Sequence, residues 1–374
     1  MVSSDGTDEP AGRLGAVLRS VGVRGPVALG RHGPWLVTTL EDARRVLTSP
    51  DVFDFPNDVS RRPLAADGEN ASARSLHSIT PPLAADQVAV GRRVFADELA
   101  VSTLALDLPG EVDAMWFLRE PVSRSTTAAV LPGLDPVDRD RIAALVVLWI
   151  DALGPVIAAS SPPRRWSRRR RNEERARLDL EGALAEVACP DPPGAAVVLA
   201  AGVQVPIAAG AWLLVQLAED SDLQTLLRQR ADLDSAVAWE TVRLRPPTWI
   251  TARVTRQETD LGPATVPASM VVLVSPLLLG RLGNLVPGPD DGLGRFDPLR
   301  WDQDRVRPGA WLPFGAGPHA CPGRNLGLAQ LTHLAGWARE VGLTPVEPSR
   351  INQTRGIFPE PARLHVDRPR TQGD

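Results

Sequence analysis

Residues 314–323 read Phe-Gly-Ala-Gly-Pro-His-Ala-Cys-Pro-Gly and are the most informative stretch of this sequence. Cys321 directly precedes Pro322, and proline is favoured in the first turn of a helix. Leucine and alanine recur beyond it at helical spacing, which predicts a helix over residues 322–340. The sulfur of Cys321 would then lie at the positive end of a helix dipole, where a thiolate is stabilised. The stretch therefore predicts a metal-binding cysteine.

The glycines of this stretch separate a special loop from an ordinary turn. A lone Gly-x-Gly would indicate only a turn with a buried cysteine. The full pattern Phe-Gly-x-Gly-x-His-x-Cys-x-Gly is far more specific. Glycine adopts backbone torsions closed to other residues and lets the chain approach a flat ligand closely.

This pattern resembles the haem-binding loop of cytochrome P450 proteins at every defining position. The resemblance implies a cytochrome P450 fold, mainly α-helical with minor β-sheet. It also implies haem b as the cofactor, with its iron ligated by the thiolate of Cys321 and one propionate near His319. The other loop residues expected at the haem are Phe314, Gly315, Gly317 and Gly323.

Length and composition fit one large domain. The chain has 374 residues, of which 43% are hydrophobic and 23% charged. We predict a flexible N-terminus over residues 1–20 and a single domain over 21–370. A net charge of −4 gives no whole-chain case for nucleic-acid binding. Two distant cysteines, Cys189 and Cys321, make no disulfide framework, so a cytoplasmic location is expected.

Residues 192–218 carry no charge and are long enough to span a bilayer. Gln204 and Pro206 lie near the middle of this segment, and no basic flank adjoins it. A helix that is apolar on all sides is also typical of the core of a large protein. We therefore predict a buried central helix rather than a membrane span.

Charged motifs elsewhere follow the order found in the same family. Glu240 and Arg243 are three residues apart, so they share one face of a predicted helix over 233–244. The resemblance implies that Arg300 joins them in a buried structural charge network. Arg253 matches the arginine with which the family binds a haem propionate.

The central helix departs from the family at the oxygen site. Members usually carry Ala-Gly-x-(Asp/Glu)-Thr there, and the acid and the alcohol relay protons. The aligned residues here are Ala-Gly-Val-Gln-Val, so Gly202, Gln204 and Val205 form an atypical distal site. Pro206 follows and removes one backbone N–H, which predicts a kink.

A second departure concerns the haem propionates. Family members usually place a histidine and an arginine one helical turn apart after a Pro-Pro pair. Residues 83–88 read Leu-Ala-Ala-Asp-Gln-Val instead. Arg92 would serve if one further helical turn intervened.

The resemblance also locates a substrate pocket, mostly apolar with a few polar groups to orient a ligand. Its expected lining is Ala200, Val203, Gln204, Thr248, Trp249, Ile250, Thr251, Ile357 and Phe358. Trp249 is open to two interpretations, because an indole can stack on an aromatic substrate or pack in the core.

The resemblance implies a haem-thiolate monooxygenase or oxidase that acts on a small organic molecule in bacterial natural-product biosynthesis. A ferredoxin and its reductase would supply electrons, and neither nucleic acid nor membrane is expected as a partner. Three routes stay open without the acid and alcohol: protons from water or a substrate hydroxyl, peroxide in place of oxygen, and coupling or rearrangement without oxygen insertion. A non-catalytic accessory protein that activates a partner enzyme is a further alternative, although Cys321 is intact.

Overall fold

The computed structural model describes residues 12–31, 33–55, 79–159, 163–164, 166–302, 308–353 and 356–368. Helices make up most of the described chain, and the strands are short. The helices are α1 Gly12–Arg19, α2 Leu40–Thr48, α3 Ala85–Leu104, α4 Ala114–Phe117, α5 Arg119–Val130, α6 Pro136–Ile157, α7 Arg168–Glu186, α8 Pro192–Ala218, α9 Ser221–Gln229, α10 Asp234–Leu244, α11 Pro276–Leu279 and α12 Arg324–Glu340.

The strands form small sheets around the helical body. They are β1 Val27–Ala28, β2 Trp35–Leu36, β3 Phe53–Asp54, β4 Gly110–Asp113, β5 Thr251–Thr255, β6 Thr259–Leu261, β7 Ala264–Val266, β8 Val271–Val274, β9 Leu343–Pro345, β10 Arg350–Asn352, β11 Phe358–Glu360 and β12 Arg363–Val366. One sheet has the order β1-β2-β8-β5-β3, in which only the β2–β8 pair is parallel. A second has the order β4-β12-β9, and β6–β7 and β10–β11 pair as antiparallel ribbons.

Helix α8 lies at the centre of the helical body, where it packs against α5, α6, α7 and α12. It begins where the carboxylate of Asp191 accepts a hydrogen bond from the N–H of Gly194, with Pro192 in the first turn. Most of its second half is buried. The prediction of a buried central helix is confirmed, although α8 alone among the described helices is long and apolar enough to cross a membrane.

Two predicted boundaries differ from the structure. Residues 12–19 form helix α1, with Leu14 and Val17 fully buried, so the folded domain begins before residue 21. An amphipathic helix of eight residues was too short to recognise by periodicity. Helix α12 begins at Arg324 rather than at Pro322, because Pro322 and Gly323 form a turn first.

The predicted charge network is present in the geometry. The carboxylate of Glu240 accepts two hydrogen bonds from Arg243, at 2.6 and 2.8 Å, and one of 3.0 Å from Nε of Arg300. The indole N–H of Trp301 adds a fourth at 2.9 Å. All of these side chains are buried. The guanidinium of Arg243 also donates to the carbonyls of Gly280, Leu293 and Arg295, so the network ties α10 to the loops that follow α11.

We predict that Glu240→Gln lowers the free energy of unfolding by about 3–5 kcal/mol, because it leaves the fully buried guanidinium of Arg243 without a carboxylate and removes the shorter of the two ion pairs of Arg300. Denaturant unfolding followed by circular dichroism measures this loss. The matched control is Glu111→Gln, whose partner Arg363 and own side chain are half exposed. The control should cost less than about 1 kcal/mol. Equal losses in the two variants would contradict a special role for the network.

Candidate haem-thiolate site

The cysteine loop is held by its own backbone. The N–H of Cys321 donates to the carbonyl of Phe314 at 2.8 Å, and the N–H of Ala320 donates to that of Gly317 at 3.1 Å. Gly317 has φ +72°, and a Cβ added to it would lie 2.6 Å from the carbonyl oxygen of Leu47. The glycine is therefore needed both for its backbone torsion and for the close approach to α2.

The thiol of Cys321 faces a cavity and is exposed to it. Burial raises the pKa of the Cys321 thiol, whereas the backbone N–H of Gly323 and the guanidinium of Arg324 act to lower it. The protein alone thus stabilises a thiolate only in part. A bound metal cation would supply the missing positive charge, because metal ligation by cysteine requires the thiolate.

The cavity has a volume of about 580 Å³, within the range of small-molecule sites. Its walls come from α5, α8, the start of α12, the cysteine loop and the segment before β5, and they are mainly apolar. The lining includes Gln87, Thr126, Val197, Val198, Ala201, Gly202, Val205, Pro206, Ala209, Thr248, Thr251, Arg253, Phe314, Gly315, His319, Cys321, Gly323 and Gln330. No carboxylate belongs to this lining within the described chain.

Arg253 lies in the cavity wall with only 5% of its surface exposed. Within the described chain, its guanidinium hydrogen-bonds to neutral oxygens only, the hydroxyl of Thr251 at 3.3 Å and the carbonyl of Ala252 at 2.8 Å. Burial lowers the pKa of the Arg253 guanidinium, and the carboxylate of Asp54 opposes this effect without a hydrogen bond. A buried cation in this state favours an anionic partner.

His319 and Arg253 both contact one aromatic ring. The guanidinium of Arg253 is 3.9 Å from the ring centroid of Phe55, and the imidazole of His319 meets the same ring edge-on at 4.6 Å. Both side chains also line the cavity that Cys321 faces. A thiol, a buried guanidinium and an imidazole around one largely apolar cavity fit a haem, whose iron needs a ligand and whose propionates need cations.

The central helix presents a different face to the cavity from the one expected. Gly202 and Val205 do line it, together with Pro206, but Gln204 is half-buried and lies outside the lining. Ala200 and Val203 are buried in the core instead. The lining positions of α8 recur every three to four residues from 197 to 209, and 200, 203 and 204 fall between them. The prediction that Ala200, Val203 and Gln204 line the pocket is therefore wrong.

Of the other residues expected in the pocket, some line the cavity and others do not. Thr248 and Thr251 line the cavity, whereas Trp249 and Ile357 are buried elsewhere. The carbonyl of Trp249 accepts from Ser275 at 2.7 Å, and that of Ile357 accepts from Trp212 at 3.0 Å, so both belong to the packed core. The core interpretation of Trp249 fits the structure. Two further residues, Ile250, which packs against the core, and Phe358, which pairs with Asn352, are also outside the lining.

Arg92 does not reach the cavity. It lies exposed on α3, where its charge helps to lower the pKa of His333 after the larger effect of burial. Gln87, more than a turn earlier on the same helix, lines the cavity instead. The side chain of Gln87 is occupied by the carbonyl of Ala129 and the N–H of Ala84. The expected propionate contact of Arg92 is therefore not available in this geometry.

A threonine that the sequence did not single out bonds to the central helix. Pro206 has no N–H, so the carbonyl of Gly202, four residues earlier, has no partner within the helix. The hydroxyl of Thr126 on α5 donates to this carbonyl at 3.1 Å. Thr126, Gly202 and Pro206 all line the cavity. The cross-helix bond therefore stabilises the wall at the point where the helix backbone is interrupted.

Comparison with known proteins agrees with this geometry. The family model "Cytochrome P450" matches residues 196–337, which include Glu240, Arg243 and the cysteine loop. The crystal structure of CYP175A1 from Thermus thermophillus superposes with a TM-score of 0.74 at 20% identity, covering 95% of each chain. The open cytochrome P450 EryK from S. erythraea gives 0.72 at 18% identity, with 96% of each chain covered. The chain therefore has the cytochrome P450 fold, and the family model covers its residues 196–337.

Curated relatives match over shorter segments. The cyclooctat-9-en-7-ol 5-monooxygenase of Streptomyces melanosporofaciens is 47% identical over 97 residues, which is 25% of this chain and 20% of that protein. The sterol 14alpha-demethylase of Mycolicibacterium vanbaalenii is 36% identical over 109 residues, 28% of this chain and 23% of that protein. The matched segments thus span about a fifth to a quarter of these relatives.

We predict that Thr126→Val destabilises the protein by about 1–3 kcal/mol, because it leaves the partly buried carbonyl of Gly202 without a donor. The same substitution should cost at least about 1 kcal/mol less in a Pro206→Ala background, where residue 206 regains its N–H. Denaturant unfolding of the four proteins gives the coupling.

The control for this cycle is Thr127→Val, one residue along the same helix. The hydroxyl of Thr127 is buried and has no hydrogen-bond partner in the described chain, so its loss should be nearly neutral. If the cost of Thr126→Val is the same with and without Pro206, the hydroxyl does not replace the missing N–H.

Proposed function

We propose that this protein is a haem-thiolate monooxygenase that oxidises a small organic molecule in bacterial natural-product biosynthesis. One observation carries the proposal: Cys321, Arg253 and His319 converge on a single, mainly apolar cavity. The thiol matches an iron ligand, and the two basic side chains match the acidic edge of a haem b.

Three residues would contribute to haem binding in different ways. Cys321 would ligate the iron, Arg253 would bind a propionate, and Gly317 lets the loop lie close against α2. When bound, a haem with a thiolate ligand supplies oxygen activation, since the thiolate pushes electron density that favours O–O cleavage. The apolar residues of α8, such as Val197 and Ala209, exclude water and surround an apolar substrate.

Proton delivery has to differ from that of a typical family member. Gln204 lies outside the cavity lining, and Val205 within it has no hydroxyl. Since no carboxylate belongs to the described lining, protons would come from water or from a hydroxyl of the substrate. The same observation favours a second candidate, a haem enzyme that uses peroxide or catalyses a coupling or rearrangement, because such reactions do not need the acid and alcohol of the central helix.

Two features support the substrate class and the electron donor. The names of two relatives, a cyclooctat-9-en-7-ol 5-monooxygenase and a sterol 14alpha-demethylase, both denote alcohols as substrates. An apolar alcohol also suits a mainly apolar cavity with several hydroxyl groups, among them Thr248 and Thr251. We propose a ferredoxin, reduced by a ferredoxin reductase, as the donor, docking beside the exposed cation of Arg324 near Cys321.

The main test is the spectrum of the reduced protein under carbon monoxide. The wild-type protein should show the signature of a thiolate-ligated haem, and Cys321→Ser should abolish it because an alcohol replaces the thiolate. Cys189→Ser is the matched control: Cys189 is also a free cysteine but lies outside the cavity lining, so the spectrum should not change. A thiolate signature that survives in Cys321→Ser would refute the ligand assignment.

The rate of haem loss tests whether Arg253 binds a haem propionate. We predict that Arg253→Gln accelerates haem transfer to apomyoglobin by about tenfold or more, because it removes a charge-assisted hydrogen bond worth about 1.5–3 kcal/mol. Arg256→Gln removes an exposed guanidinium that pairs with Asp54, and it should leave the rate nearly unchanged. Similar rates for wild type and Arg253→Gln would exclude Arg253 as a propionate ligand.

A further inference from the structure

Phe55 contacts both the strand that carries Arg253 and the cysteine loop. Strands β3 and β5 are antiparallel, and Asp54 pairs with Val254. The next two residues that face each other in this register are Phe55 and Arg253. Because opposite residues of an antiparallel pair lie on the same face, their side chains can meet. The guanidinium of Arg253 lies over the Phe55 ring, 3.9 Å from its centroid.

The contact with Phe55 holds Arg253 without using its hydrogen-bond donors. A cation is attracted to the face of an aromatic ring through its charge. Within the described chain, Arg253 donates hydrogen bonds only from Nη1, to Thr251 and Ala252. The N–H groups on Nε and Nη2 therefore stay available, and two neighbouring N–H groups of one guanidinium can bind both oxygens of a carboxylate.

The carboxylate beside Phe55 in sequence is engaged elsewhere. Asp54 pairs with Arg256 at 2.8 Å and accepts a hydrogen bond from the N–H of Phe55 at 2.8 Å. It forms no ion pair with Arg253 in the described part of the chain, although its charge acts on the pKa of that guanidinium. Arg253 therefore keeps its charge and its free N–H groups for a ligand in the cavity.

The same ring contacts the cysteine loop through His319. The imidazole lies 4.6 Å from the Phe55 ring and is nearly perpendicular to it, at 86°. His319 is two residues before Cys321, and His319 and Arg253 both line the cavity. Phe55 itself does not belong to the lining, so it would act on a ligand only through these two neighbours.

We propose that Phe55 is a positioning residue for haem: its ring holds Arg253 and His319 at the cavity wall, where both can bind the acidic edge of the cofactor. The proposal rests on the haem site of the proposed function. An aliphatic side chain would fill the space of the ring without attracting the guanidinium. Two neutral oxygens would then be the remaining hydrogen-bond partners of Arg253, and the arginine would be less well fixed.

The test is a double-mutant cycle on the haem-loaded protein, with the rate of haem transfer to apomyoglobin as the measurement. Phe55→Leu should accelerate the transfer about fivefold, because it removes a partly buried cation–π contact. The Arg253→Gln background has no guanidinium for the ring to hold. In that background Phe55→Leu should change the rate by less than about twofold, whereas a residue that acts only by packing gives the same factor in both backgrounds.

Two further variants test whether the aromatic face is responsible. Phe55→Tyr keeps this face and should retain the wild-type rate within about twofold. Trp116→Leu is the matched control, because it removes a cation–π contact with Arg119, at 5.0 Å, and neither residue lines the cavity. Its rate should equal that of the wild type. If Phe55→Leu does not fold, Phe55→Met, which also lacks a ring, takes its place in the cycle.

Three results would overturn the proposal: an unchanged rate in Phe55→Leu, an equal acceleration with and without Arg253, and a Phe55→Tyr variant that loses haem as fast as Phe55→Leu. Haem transfer requires neither turnover nor a thiolate ligand. Coupling between Phe55 and Arg253 in a protein without the carbon monoxide signature would therefore refute the proposed enzyme and retain the role of Phe55. The signature without the coupling would do the reverse.

Discussion

The ionisation of one thiol, which faces a largely apolar cavity, is the constraint on which the site depends. Taking Cys321 out of water raises the pKa of its thiol, and one backbone N–H and one arginine oppose this only in part. The loop around it is held by backbone hydrogen bonds and by Gly317, where an added Cβ would lie 2.6 Å from the carbonyl oxygen of Leu47. A structure of this kind holds a sulfur in place for a cation to complete its charge balance, as iron does in a haem. Arg253 shows the same imbalance with the opposite sign at another part of the cavity wall.

The carbonyl that Pro206 leaves unpaired explains the hydrogen bond between α5 and α8. A proline inside a buried helix leaves one carbonyl without its partner, and a buried carbonyl needs a donor. Here the missing donor comes from Thr126 on a neighbouring helix. The interruption at Pro206 and the threonine therefore form one unit, although 80 residues separate them in sequence. The acid and alcohol that typical family members carry on this helix are absent, and the wall is shaped instead by this cross-helix bond.

The sequence predicted the parts of the structure that local chemistry determines. The ten-residue loop predicted a metal-binding cysteine, and the structure places Cys321 in the wall of a cavity. The spacing of Glu240 and Arg243 placed both on one helix face, where the structure finds them hydrogen-bonded. The sequence could not predict which face of α8 lines the cavity. Because that helix is apolar on all sides, its pattern does not distinguish Val205, which lines the cavity, from Val203, which does not. Arg92 failed for a related reason, since it lies five residues beyond Gln87, which lines the cavity, and is therefore about 140° further around the helix.

Thr126 lay beyond sequence reasoning because its importance comes from a tertiary contact. The orphaned carbonyl of Gly202 could have been anticipated from Pro206 alone, but nothing in the sequence names the helix that supplies its donor. Because the lining contains no carboxylate within the described chain, water or a hydroxyl of the ligand would be the source of exchangeable protons inside the cavity. This links the loss of the usual acid and alcohol to the chemistry of the ligand itself.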